Sequence, residues 1–152
     1  MTAHGAAARL SGLSKELLFD LVEGHPGRER AATPMAAAAY HNIFIDGEGR
    51  LSTCGRSVPY ATDETSCPSL LGHGEGVMHL NVPTLMPSTL GGERAVSVSG
   101  KSSHSLVLAA DGSVWSWGHG AYGRLGHGDD EEQLLPKKIE AFAGQRVIAV
   151  SV

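Results

Sequence analysis

The sequence predicts an all-β fold assembled from a repeated unit of short strands. Three observations carry that expectation. The frame at residues 41–55, HNIFIDGEGRLSTCG, returns at residues 104–118 as HSLVLAADGSVWSWG. One shift places His41 on His104, Ile43 on Leu106, Ile45 on Leu108, Gly49 on Gly112, Leu51 on Val114 and Gly55 on Gly118. A period of this size marks a repeat architecture, whose units bury their faces only against neighbours. Glycine supplies 20 of 152 residues, roughly twice ordinary usage, which favours many tight turns. The apolar runs are short and bounded by turn pairs, as strands are.

Taken in order, residues 1–12 are small and polar and read as a disordered tail. A short helix follows. Ser14 is placed as its N-cap, and Leu13 and Leu18 are spaced as a hydrophobic staple. Leu17, Leu18, Leu21 and Val22 form one apolar stripe, and Gly24 and Pro26 end it. The phrase LSKELLFDLVE resembles the opening helix of an F-box over about a dozen residues. An F-box stays helical beyond that point, whereas HPGRERAATP follows here, so the stretch reads as a docking or flanking helix. Residues 1–35 are therefore a tail with a short helix.

From residue 36 the β pattern begins. Residues 36–40 read as a strand or its approach. Leu106 to Ala109 form an apolar run suited to a buried strand. Asp111-Gly112 supplies the positive-φ pair of a tight hairpin, and Val114 to Trp117 return. In the first copy Glu48-Gly49 takes the turn; Asp46-Gly47 competes, and the repeat frame favours Glu48-Gly49. Each copy continues alike: LLGHG at 70–74 matches RLGHG at 124–128, and 82–99 matches 135–151 with a one-residue slip. The first copy carries an insertion near residues 56–66, polar with one proline, which reads as a loop.

The stretch VSVSGKSSHSLVLAADGSVWSWGHGAYGRLGHGD resembles the repeat of the regulator of chromosome condensation family. The likeness runs through His104, Asp111-Gly112, Trp115, Trp117, Gly118, Tyr122-Gly123 and Leu125-Gly126. It implies two repeats, about 36–99 and 100–152, the first degenerate and the second incomplete at its C-terminal end. The first copy has Ser52 and Cys54 where the second has Trp115 and Trp117, and Lys101 stands where the family usually places a glycine. In that family each repeat is a four-stranded propeller blade. The expected fold is thus a partial β-propeller of about two four-stranded blades, a fragment of a larger ring, with a short N-terminal helix.

Residues that look like chemistry are better explained as blade structure. Gly118, Gly120 and Gly123 fit G-x-G-x-x-G, but RLGHGDD follows where a dinucleotide loop needs a helix. His41, His73, His104, His119 and His127 lack the short spacing of zinc ligands. No serine, histidine and carboxylate set has catalytic context. Cys54 reads as filling a core slot of the first copy. Trp115 and Trp117 read as packing between blades. In a plant ultraviolet-B sensor on this repeat the sensing Trp precedes the repeat His, where Ser102 and Ser103 stand here. Catalytic, cofactor and metal residues are accordingly expected to be none. The structural repeat set is His41, Gly49, Gly55, His104, Asp111, Gly112, Trp115, Trp117, Gly118, Gly123, Leu125 and Gly126.

Partner-binding candidates are Arg56, Asp63 and Glu64 in the insertion and the acidic run Asp129, Asp130, Glu131 and Glu132. Loops at propeller rims carry binding. A net charge of −4 offers no basic nucleic-acid footprint. Two cysteines make no disulfide framework, and no apolar run suits a membrane span. These features point to an intracellular protein of cytoplasm or nucleus. The expected function is a non-catalytic protein-interaction module within a larger propeller, with self-assembly if the chain is complete. The resemblance also implies two alternatives: guanine-nucleotide exchange on a Ran-type small GTPase, and the substrate-binding part of a ubiquitin ligase.

Overall fold

The computed structural model describes residues 34–57, 70–87 and 90–152. The expected helix after Ser14, its F-box-like phrase, and Asp63, Glu64 and Cys67 of the insertion lie outside the described residues. Eight strands form two antiparallel sheets. The first contains β1 (Met35–Ala37), β2 (His41–Ile45), β3 (Leu51–Arg56) and β4 (His79–Leu85), in that spatial order. The second contains β5 (Ala95–Lys101), β6 (His104–Ala109), β7 (Val114–Gly118) and β8 (Gln133–Lys138), again in order. Strand β5 runs through residue 100, so the second sheet starts ahead of the repeat boundary drawn there.

The two sheets share one register. His41 pairs with Gly55 and Ile45 with Leu51; His104 pairs with Gly118 and Leu108 with Val114. Even the irregularity recurs, between Thr53 and Gly55 in one sheet and between Ser116 and Gly118 in the other. Gly118 shows why that position is glycine: its φ is +110°, and a Cβ there would stand 2.5 Å from the Ser103 carbonyl oxygen and 2.8 Å from His104 Cα.

The hairpin turns differ from the two-residue form expected. Gly112 has φ +87°, but Asp111 is not among the residues at positive φ. The Gly112 N–H donates to the Ala109 carbonyl at 3.0 Å, and the Ala109 N–H to the Ser113 carbonyl at 2.9 Å. This is a three-residue loop, a type I turn closed by one left-handed glycine. Asp111 stays right-handed because its Oδ1 accepts the Ser113 N–H at 2.9 Å and the Ser113 hydroxyl at 2.7 Å. The first copy repeats the loop: Gly49 N–H donates to the Asp46 carbonyl at 3.0 Å, and Asp46 N–H to the Arg50 carbonyl at 3.1 Å. Gly49 is therefore the left-handed residue, as the repeat frame favours.

The sheets meet face to face. Ile43, Ile45, Leu51 and Met86 of the first half pack with Ala95, Val98, Val107, Ala109 and Trp117 of the second. A second cluster lies on the far side of the second sheet, where Leu108, Val114 and Ile139 meet Val147 and Val150. These are the repeat counterparts of Ile45, Leu51, Met86, Ala95 and Val98, so one packing scheme is used twice. The backbone agrees: Ala95 N–H donates to the Gly49 carbonyl, and Val147 N–H donates to the Gly112 carbonyl. Cys54 departs from expectation. It pairs with Asn42 on β2, on the face opposite Ile43, Leu51 and Thr53, and is half-buried outside the inter-sheet core.

Candidate functional site

The repeat residues form a structural hydrogen-bond network. Thr53 donates its hydroxyl to the Leu71 carbonyl at 2.7 Å and lies 3.0 Å from His73 Nε2. Ser116 donates to the Leu125 carbonyl at 2.8 Å and lies 3.0 Å from His127 Nε2. A hydroxyl has one proton, and here the carbonyl receives it. Each ring nitrogen must therefore donate. The LGHG segments are in this way tied to the return strands, with Gly126 beside Ile139 and Leu125 buried. His41, almost fully buried, places Nε2 2.8 Å from Ser105 Oγ across the sheet interface. Burial, reinforced by nearby His104, pushes His41 from 6.5 down to about 4. Burial also lowers His73, His104 and His127. Among the described residues no group of three or more His, Cys, Asp or Glu could hold a metal ion.

The two tryptophans share one face of β7 with unequal roles. Trp117 is fully buried, and its indole N–H donates to the Leu70 carbonyl of the first half at 3.1 Å. Trp115 is half-buried and donates to Ser113 Oγ at 3.0 Å. The glycine-rich segment forms no phosphate cradle. Ala121–Gly123 is a single 3-10 turn, and the Glu131 carbonyl occupies the ground a Cβ of Gly120 would need.

The described partner-binding candidates lie apart in the fold: Arg56 ends β3, and the acidic run 129–132 precedes β8. In the acidic run, Asp130 Oδ1 accepts the Gly123 N–H at 2.7 Å and Asp129 Oδ1 accepts the Glu131 N–H at 3.1 Å. Asp130 thereby braces the turn that displays Tyr122, while Asp129 braces the acidic segment itself. Tyr122 sits at φ +64° and is 90% exposed, with the Arg124 guanidinium 5.7 Å from its ring centre. Sequence reasoning did not select Tyr122 as a binding residue; its signal was a bulky side chain where the turn wants a left-handed residue. Arg56 ends β3 at an open cavity of about 610 Å³, lined also by Tyr40, His79 and Asn81. His79 and Asn81 were missed because β4 pairs with β3 across the insertion, whose length hides the register, and Tyr40, just ahead of β2, was read only as strand approach. No helix among the described residues is long and apolar enough to cross a membrane.

Comparison with known proteins places this geometry. Profiles of the regulator of chromosome condensation (RCC1) repeat match residues 95–124 and 111–152. The chain is 32% identical to the mouse E3 ubiquitin-protein ligase HERC2 over 157 aligned residues, covering 99% of this chain and 3% of that protein. It is 33% identical to the Arabidopsis thaliana ultraviolet-B receptor UVR8, covering 84% of this chain and 30% of the receptor. Among solved structures, Saccharomyces cerevisiae Prp20p superposes with a TM-score of 0.54 at 23% identity, covering 72% of this chain and 26% of Prp20p. That structure is described together with binding to Gsp1p and histones. The chain thus spans a small part of each relative's length. The two sheets are consecutive blades of a β-propeller.

Proposed function

This chain is built on the regulator of chromosome condensation repeat, and we propose that it acts as a non-catalytic protein-interaction module. One observation carries the reading: the division of labour among its polar groups. His41, His73, His127, Thr53, Ser116 and Trp117 are spent on holding strands and sheets together. The exposed groups, Arg56, Tyr122, Asp129 and Glu131, stand at strand ends and turns. A side chain locked into the fold is a poor catalyst, whereas a rigid scaffold that displays loops is suited to binding. Protein partners are the expected ligands. Capture of cellular proteins on the immobilised chain tests this, with Tyr122→Ala as the rim variant and Ile148→Ala as an exposed control. Loss of specific partners on Tyr122→Ala alone supports the reading; no capture above that of an unrelated immobilised protein refutes it.

The likeness to HERC2 along nearly the whole chain favours a second reading, a substrate-binding portion of a ubiquitin ligase. The exchange reading rests on the fold shared with Prp20p. A nucleotide-release assay with a Ran-type GTPase tests it; no acceleration at micromolar chain removes it.

A further inference from the structure

Resting on the interaction reading, we propose that the cavity beside Arg56 is a docking pocket for a carboxylate side chain of an acidic partner segment. The pocket opens to solvent and is lined by Tyr40, Cys54, Arg56, His79, Leu80 and Asn81. Among the described residues no carboxylate lines it. Arg56 and His79 are direct cross-strand partners, so two basic side chains stand side by side on one face. The guanidinium is the charged donor for an anion, and the imidazole beside it offers a second ring N–H.

Arg56 is also uncommitted. Arg50 bonds Asp46 at 2.7 Å, Arg94 donates to the Glu48 carbonyl at 3.0 Å, and Arg124 donates to Ser103 Oγ at 2.9 Å. The Arg56 guanidinium makes no hydrogen bond or ion pair among the described residues. The second sheet shows what the repeat does otherwise. There the counterpart of Tyr40 is Ser103, and Arg124 reaches over to it, while Gly120 is capped by the Glu131 carbonyl. That corner is filled from within the chain. In the first sheet the described residues at this corner instead include a cation, a tyrosine and an amide side chain.

The remaining lining decides what kind of anion fits. Cys54, on the same strand face as Arg56, gives an apolar surface against which the methylene stem of Glu or Asp can pack, which inorganic phosphate lacks. Overall charge does not help, since the chain is net −4. Binding of an acidic segment must therefore be local.

The test is fluorescence anisotropy on the full chain at low salt. The probe is a fluorescein-labelled peptide of alternating Glu and Ala, with a Gln-for-Glu twin. The Glu peptide should bind about tenfold tighter than the twin, the scale of one charge-assisted hydrogen bond. Arg56→Gln should remove about that factor, His79→Gln less, and Arg50→Gln nothing. Amide NMR shifts on titration should concentrate at Tyr40, Arg56, His79 and Asn81. Equal binding of both peptides, or an Arg56→Gln variant that binds as the parent does, overturns the proposal. If that happens while Tyr122→Ala still loses cellular partners, the pocket is refuted and the interaction reading stands.

Discussion

Acidification should loosen this molecule through one buried ring. His41 sits at the sheet interface with its Nε2 on Ser105, and burial, with His104 adding, holds it at about 4 instead of 6.5. Between those values the unfolded chain takes up a proton that the native chain refuses. Stability therefore falls as pH drops from 6.5 towards 4 and levels below that. A displacement of this size corresponds to about 3 kcal/mol in all, of which about 2 kcal/mol is gone by pH 5. That is a sizeable share of a small domain's total stability. The assay is urea denaturation at pH 7, 6, 5 and 4.5 for the parent and for His41→Gln, which keeps a polar group near Ser105 but cannot titrate. Other lowered histidines and the carboxylates contribute to both proteins alike, so the difference between the two pH slopes isolates His41. Parallel slopes, or an NMR titration of the His41 ring with a midpoint above 6, would refute the reasoning.

Three further outcomes are expected. Trp117→Ala should cost about 3–5 kcal/mol in chemical denaturation, since it opens the inter-sheet core and strands the Leu70 carbonyl; Trp115→Ala, half-buried and bonded only to Ser113, should cost clearly less. Thr53→Val and Ser116→Ala should each cost about 1–3 kcal/mol and by similar amounts, because each leaves a His and a carbonyl without their shared hydroxyl; unequal losses measured by thermal melting would break the equivalence. Gly118→Ala should unfold the second hairpin or sharply lower Tm, whereas Gly128→Ala, left-handed but with nothing near its Cβ, should cost only about 1–2 kcal/mol.

The repeated frame made the hairpins and the repeat-equivalent residues legible, because each depends on residues close in sequence and on strand parity. His41, Thr53 and Leu71 could be matched to His104, Ser116 and Leu125 before any contact was known. The turns were only half legible. Asp-Gly signals a reversal, but whether the loop holds two or three residues depends on where strand pairing stops, and Asp111's bond to Ser113 decided that. Cys54 shares its strand parity with Trp117, yet parity cannot say which face meets the next sheet. The Arg56–His79 pair depends on how β4 returns after the insertion. Asp130 in the Tyr122 turn depends on contacts made only when residues 123 and 130 are brought together.

The seam between the sheets also orders the events of folding. Its bonds join residues far apart in the chain, His41 to Ser105 and Leu70 to Trp117, whereas the β2–β3 and β6–β7 hairpins each close over a three-residue loop. Closing long loops costs more chain entropy and is repaid only when the whole contact forms. The β2–β3 and β6–β7 hairpins can therefore collapse early and nearly independently, while the indole of Trp117 finds its carbonyl last. Until it does, each sheet carries a bare apolar face. During synthesis the first sheet must wait for the second to emerge, and that interval is when the chain is most exposed to wrong partners.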